Sequence, residues 1–250
     1  MRSYPSACAN SGKNKVFRTI LMLLFWAAAL PIAALIGFPW TYLTKDINFL
    51  YRGCMWAAFT GVRIAGVKVR TQGLEKLDPA RTYIFMSNHI SNLDPPITLP
   101  LIPRRTSVMV KIGLFKVPIL RQIMQIGSLV PVDRGNRDAG FSALRDAVKA
   151  LDQGLNMTIY VEGHRSFDGK LLPFKKGPFY LAEECKVPIV PITISGTEAV
   201  MPKARFAIRP GTVTVQFHDA IEPKDFGDRD ALMAKVRKAI NSGLPPDLQE

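Results

Sequence analysis

At 250 residues, 48% of them hydrophobic, the chain can bury a sizeable core, and beyond its apolar N-terminus it suits one α/β domain with no second domain required. Its three cysteines, Cys8, Cys54 and Cys185, lack paired spacing, which fits a reducing compartment and excludes a disulfide framework and a zinc knuckle. The net charge of +13 is confined to one half: residues 1–135 hold 17 Lys and Arg against 5 Asp and Glu, and the remainder hold 16 against 15. Such a half faces a polyanion, either nucleic acid, anionic lipid or an acidic carrier. Nucleic acid is disfavoured, because no RNP strand or zinc finger appears and the basic residues flank apolar segments instead.

The first segment is apolar. Thr19 to Thr44 runs for 26 residues without a charge, enough to cross a bilayer, which takes about 20. It is long for a signal-peptide core and no small-x-small site ends it, which argues against a secretory leader. Arg2, Lys13, Lys15 and Arg18 precede it, and Lys45, Arg52, Arg63, Lys68 and Arg70 follow, so the positive-inside rule favours neither end over the other and both are expected on the cytoplasmic side. Pro31 and Pro39 are expected to break or kink a helix there, and Ile47 to Ile64 is apolar again. The expectation is a two-helix hairpin dipping into one leaflet, with a single spanning helix as its competitor. Residues 1–64 thus form a basic, apolar, membrane-associated helical segment, and residues 65–250 an α/β domain.

In that domain short β-branched runs recur: Val67 to Val69, Thr82 to Met86, Ser107 to Val110, Leu129 to Val132, Met157 to Val161, Ile189 to Ile194 and Thr212 to Phe217. Helical patterns alternate with them. Asp138 to Gln153 carries Phe141, Leu144, Val148 and Leu151 on one face and stops at Gly154; Asp228 to Asn241 starts on a capping aspartate and stops at Gly243 and Pro245-Pro246. This alternation indicates an α/β fold with a mixed, mainly parallel sheet flanked by helices. Between Arg104 and Arg121, basic side chains (Arg104, Arg105, Lys111, Lys116, Arg121) thread apolar ones. This pattern reads either as an interfacial surface or as an ordinary strand and helix with a charged face.

Two clusters follow strands, where loops of such sheets build sites. In Asn88-His89-Ile90-Ser91-Asn92-Leu93-Asp94, one turn of chain can bring the Asp94 carboxylate to the His89 imidazole, fixing its tautomer and favouring the imidazolium formed when the ring takes a proton. This is half of a catalytic triad without a nucleophile, so the attacking hydroxyl belongs to a substrate. Taken alone the pair is a common coincidence. The second cluster, Tyr160-Val161-Glu162-Gly163-His164-Arg165-Ser166, runs on to Lys175 and Lys176; Gly163 permits a close turn and Arg165 presents a fork suited to phosphate, with a plain basic loop as the alternative. No Gly-x-Ser-x-Gly elbow or cysteine nucleophile motif is present, and His89, His164 and His218 offer no ligand pair of metal spacing, so no metal is expected.

Together with Asp133-Arg134-Gly135-Asn136 and Val187-Pro-Ile-Val-Pro191, these clusters resemble, in this order, the glycerolipid acyltransferase family, most closely 1-acyl-sn-glycerol-3-phosphate acyltransferases of bacterial type. The resemblance spans about Val67 to Phe217. It implies that His89 and Asp94 are catalytic, that Arg134, Glu162, Gly163, Arg165, Ser166 and Lys111 bind the phosphate of the acceptor, and that Pro191 shapes the acyl-donor side. It further implies transfer of a fatty acyl group to the sn-2 hydroxyl of lysophosphatidic acid, giving phosphatidic acid, without a cofactor beyond the acyl carrier protein or CoA thioester co-substrate. Membrane lipids are the expected partners and nucleic acid is not. The expected location is the inner, cytoplasmic membrane, with the catalytic domain facing the cytoplasm. Ile90, Val161 and His164 depart from the residues usual in the family, and His164 bears on which lipid is accepted. Glycerol-3-phosphate or a lyso-aminolipid as acceptor, and a non-catalytic lipid-binding protein, are the rival readings.

Overall fold

The computed structural model describes residues 7–116, 118–132, 137–202 and 206–250. The chain opens with two helices, α1 (Ala7–Thr44) and α2 (Asn48–Ile64), joined by three residues. A connection this short turns the chain back on itself. The Trp26 indole N–H donates to the Ala57 carbonyl at 3.0 Å, Trp40 tilts against Phe49 and Phe25 meets Trp56 edge-on. Glycines allow the close approach: a Cβ on Gly61 would lie 2.1 Å from Trp26 Nε1, and one on Gly37 would lie 2.6 Å from Leu50 Cδ1. The expected hairpin is therefore present. The expected break is not, because α1 runs unbroken through Pro31 and Pro39. A proline removes one N–H from the ladder and crowds one carbonyl, and the neighbouring turns of this long apolar helix carry it past both. Within α1, Asn14–Thr44 contains an 18-residue window of mean hydropathy 2.4 and is long and apolar enough to cross a membrane.

Seven strands follow: β1 (Val67–Gln72), β2 (Ile84–Ser87), β3 (Thr106–Lys111), β4 (Val130–Val132), β5 (Asn156–Tyr160), β6 (Ile189–Ser195) and β7 (Gly211–Phe217). They form one sheet in the order β1-β7-β6-β2-β5-β3-β4. Every pairing is parallel except β6 with β7, so β1 and β7 run against the other five. Each expected strand is found, and the sheet is mixed and mainly parallel. The connecting helices are α3 (Asp94–Thr98), α4 (Pro118–Ile126), α5 (Arg137–Asp152), α6 (Gly177–Cys185), α7 (Thr197–Val200) and α8 (Arg229–Ser242).

The two faces of the sheet carry separate cores. On one, Ala143, Ala147 and Leu151 of α5, Phe179 and Leu181 of α6 and Leu232, Val236 and Ile240 of α8 cover Ile84, Met157, Ile159 and Ile189. Leu144 and Val148 pack against that core, while the Phe141 side chain lies outside the described residues. On the other, Met22 of α1 and Val62 of α2 join Leu93, Ile97, Phe85, Val190 and Phe217. The hairpin packs onto the body, with Thr19 Oγ1 accepting the Ile208 N–H at 2.8 Å. Helix starts and stops follow local chemistry: Asp228 caps α8 by accepting the Ala231 N–H at 2.7 Å, and Gly154 takes φ +75° after α5. The stretch after Arg104 divides between its two readings. Arg104 donates to the carbonyls of Ala80 and Gly154 and Val108 is buried, whereas Ile112 and Leu114 are exposed beside Lys111, Lys116 and Arg121. The side chains of Ile119 and Leu120 lie outside the described residues.

Candidate active site

Because β2 and β5 are parallel neighbours, the loops that leave their carboxyl ends emerge side by side. The first holds the histidine. His89 Nδ1 donates to Asp94 Oδ2 at 2.7 Å, and the same oxygen accepts the backbone N–H groups of Ile90 at 2.7 Å and Ser91 at 2.8 Å. Asp94 opens α3 and is fully buried, so the short helix aims its carboxylate into the loop just before it. Three donors on one oxygen fix the carboxylate, and the carboxylate fixes the imidazole tautomer. Nε2 then carries the lone pair, and among the described residues it has no hydrogen-bond partner.

The histidine is also held from the side and from behind. Tyr160, the last residue of β5, stacks on it with centroids 4.2 Å apart, and its hydroxyl pairs with Thr98 Oγ1 at 3.1 Å. Burial pushes the Tyr160 phenol far above its ordinary range, so it stays a neutral stacking partner. Asn88 extends the ladder between β2 and β6 with its side chain, donating to the Ile194 carbonyl at 2.9 Å and accepting the Ile194 N–H at 2.8 Å.

The second loop grips the same peptide. Glu162 Oε1 accepts the His89 N–H at 3.1 Å, and Oε2 accepts the Leu172 N–H at 3.2 Å. The His89 carbonyl accepts the Ser166 N–H at 2.8 Å. Desolvation pushes the Glu162 carboxyl up to about 7, with Asp94 adding to the rise, while the N–H donors of His89 and Leu172 and the charge of Arg237 pull the other way. A buried histidine with one nitrogen tied and one open can take a proton from a hydroxyl brought to it.

Residues 68–195 match the acyltransferase family over half of the chain. The chain belongs to that family, as an enzyme of the 1-acyl-sn-glycerol-3-phosphate acyltransferase kind. It is 30% identical over 213 residues to the 1-acyl-sn-glycerol-3-phosphate acyltransferase of Limnanthes douglasii, covering 85% of this chain and 74% of the relative. The chloroplastic 1-acyl-sn-glycerol-3-phosphate acyltransferase of Arabidopsis thaliana is 32% identical over 244 residues, 95% of this chain and 63% of that one. The crystal structure of the 1-acyl-sn-glycerophosphate (LPA) acyltransferase PlsC from Thermotoga maritima superposes with a TM-score of 0.76 at 25% identity, covering 92% of this chain and 95% of the other.

In this acyltransferase the residues expected around a phosphate are placed unequally. Glu162 is buried with both oxygens on backbone N–H groups, so its position is that of a strut. Ser166 is buried and its hydroxyl serves the turn, donating to Asp168 at 2.9 Å and accepting the Gly169 N–H. Gly163 takes φ +72°, where its Cα faces the aliphatic stem of Lys175, and turns the chain so that Arg165 stands half-buried in the same loop. Lys111 is exposed at the carboxyl end of β3, opposite Val132 of β4. Arg134 lies outside the described residues. Pro191 is buried inside β6, opposite Met86 of β2, with its carbonyl accepting the His218 N–H at 2.9 Å. That is a sheet position, the structural reading of its apolar segment.

The departures at Ile90 and His164 fall differently. Ile90 is buried and serves Asp94 through its backbone N–H, a task any non-proline residue performs. His164 is exposed in the basic loop. Sequence reasoning assigned no role to Tyr160, Thr98 or Asn88. Their signal is only that polar side chains stand at or just past strand ends and in the first turn of chain that follows. A cavity of about 720 Å³ opens next to the site, lined by Met109, Val132, Leu144, Ile159, Tyr160 and Gly163.

Proposed function

We propose that this acyltransferase moves a fatty acyl group from an acyl carrier protein or CoA thioester to the sn-2 hydroxyl of lysophosphatidic acid. The observation that carries the reading is the 2.7 Å His89–Asp94 pair with Nε2 open, beside a loop that presents Arg165. The hydroxyl oxygen attacks the thioester carbonyl carbon as Nε2 accepts its proton. Collapse of the tetrahedral intermediate breaks the carbon–sulfur bond, and the imidazolium returns the proton to the departing thiolate. The products are phosphatidic acid and the free thiol of the carrier. Asp94 balances the imidazolium charge throughout. Arg165 and Lys111, with Arg134, receive the acceptor's phosphate, since planar guanidinium forks suit its oxygens. The apolar lining of the cavity beside Tyr160 suits the acyl chain of the donor.

The hairpin seats the enzyme in one leaflet of the cytoplasmic membrane, with the domain on the cytoplasmic side. At about 1.5 Å per residue α1 is roughly 57 Å long, nearly twice the hydrocarbon thickness, and α2 returns along it bearing Arg52 and Arg63, an arrangement that suits lying in an interface more than crossing it. A panel of acceptors with one acyl donor and purified protein tests the assignment: lysophosphatidic acid is acylated, and glycerol-3-phosphate and lyso-aminolipids are not. Acylation of a lyso-aminolipid in preference would reassign the acceptor, and failure to acylate any member would remove the reading. An Arg165→Ala variant is expected to raise KM for lysophosphatidic acid more than it lowers kcat. Protease access to an N-terminal tag from the domain's side of sealed vesicles tests the hairpin's seat.

A further inference from the structure

Helix α2 carries a second chemistry that the reaction does not use. Arg52, Trp56, Phe59 and Arg63 recur at spacings of four, three and four, and so share one helical face. Trp56 touches Phe25 of α1 edge-on and is otherwise open. With Leu99, Ile102 and Arg105 of the segment leading into β3, this face walls a groove of about 950 Å³. The Tyr51 hydroxyl, which lines the same groove, accepts the Thr106 N–H at 3.4 Å and ties α2 to the start of β3.

The groove is basic without compensation. Asp46 is the one acidic residue among its described lining. Arg104 spends its guanidinium on the carbonyls of Ala80 and Gly154, each at 2.6 Å. The guanidinium groups of Arg52, Arg63 and Arg105 have neither a carboxylate nor a hydrogen-bond partner among the described residues, and Arg52 and Arg63 are exposed. Between them Trp56 is 62% exposed. Guanidinium groups around an exposed indole match a phosphate on an acyl chain, because the former want a charged acceptor and the latter an apolar body at a wet boundary. At the closed end of the hairpin the exposed Trp40, Leu43 and Phe49 continue the apolar character. An acidic protein would satisfy the arginines and leave these aromatic side chains in water.

We propose that this groove holds one anionic glycerophospholipid of the bilayer, its phosphate against Arg52, Arg63 and Arg105 and an acyl chain along Trp56 and Phe59. The site is separate from the active site. Arg105 and Leu155 stand at the amino ends of β3 and β5, whereas His89 follows the carboxyl end of β2, and these strands are parallel. A lipid held here is a tether for the body, not a substrate.

The full chain, stripped of lipid in detergent, is offered equimolar phosphatidylglycerol and phosphatidylcholine of matched chains, and the lipid it retains is counted by native mass spectrometry. The wild type is expected to retain one phosphatidylglycerol in preference to phosphatidylcholine. Arg52→Gln with Arg105→Gln is expected to cut that retention at least about tenfold, the loss that follows from removing two basic side chains facing an anionic headgroup. Arg52→Glu, at an exposed position, repeats the loss, and Lys235→Gln with Lys238→Gln on the exposed side of α8 leaves retention unchanged. Turnover with substrates soluble in the same detergent stays at the wild-type value in the arginine variants. Equal retention by wild type and the double variant, absence of preference between the two lipids, displacement of the lipid by inorganic phosphate alone, or its displacement by an acidic carrier protein would each overturn the proposal.

Discussion

Glu162→Gln isolates what a buried carboxylate does beside His89. Its carboxyl is pushed from 4.5 up to about 7, so the folded chain binds a proton there that the unfolded chain has already released. Stability from this group therefore falls as pH rises from about 4.5 and the loss is complete above about 7. The loss amounts to about 3 kcal/mol, from roughly 1.4 kcal/mol for each pH unit between the two values. Glutamine carries no such cost at any pH. Its single amide oxygen, however, accepts from only one of the His89 and Leu172 N–H groups, and leaving the other unpaired costs roughly 1–3 kcal/mol. The variant is thus expected to melt below the wild type at pH 5 and to close or reverse that gap by pH 8. Melting of both proteins in one detergent from pH 5 to 8 measures it. For a chain of this size, at about 2–4 °C per kcal/mol, the difference between the two curves moves by roughly 5–10 °C. Parallel curves across that range would show that Glu162 titrates normally and would refute the desolvation argument.

Three other perturbations probe the surrounding frame. His89→Ala is expected to lose at least about 100-fold in turnover with an unchanged melting temperature, read by acyl transfer and circular dichroism, since the ring serves the chemistry and its backbone holds the loops. Asn88→Ala leaves both the N–H and the carbonyl of Ile194 without partners between β2 and β6, and at roughly 1–3 kcal/mol for each buried group it is expected to lower stability by about 2–6 kcal/mol in thermal unfolding. Gly61→Ala drives a methyl into the Trp26 indole and off the Ala57 carbonyl; overpacking of this kind costs typically about 1–3 kcal/mol, and protease cleavage between α1 and α2 is expected to quicken while turnover in detergent persists.

The strands were legible because each is a β-branched run bounded by turn residues, and Asp228 and Gly154 announced a cap and a stop in the residues themselves. The break at Pro31 and Pro39 misled, since the cost of a missing N–H is local while the apolar turns on both sides act over many residues. His89 and Asp94 could be proposed as a pair from their spacing, because five residues of chain decide whether they meet, and the second cluster raised that pairing above coincidence. Tyr160 and Thr98 could not, because their contacts depend on β5 lying beside β2, a fact of strand order that no local pattern encodes. The role of Glu162 was hidden for the same reason. A glutamate beside Gly163 and Arg165 reads as part of a ligand loop until both its oxygens are seen on backbone N–H groups.

Both ends of the His89 peptide are gripped by the loop after β5, the N–H by Glu162 and the carbonyl by Ser166. The segment from Glu162 to Ser166 is in consequence a transplantable unit with fixed ends and a variable middle. A graft that brings a relative's residues at His164 and Arg165 while keeping Glu162 and Ser166 exchanges what the loop offers a headgroup and leaves the histidine where it stands. A graft that changes either end moves His89 as well, so a swap meant to probe the proposed acceptor loop keeps those two anchors.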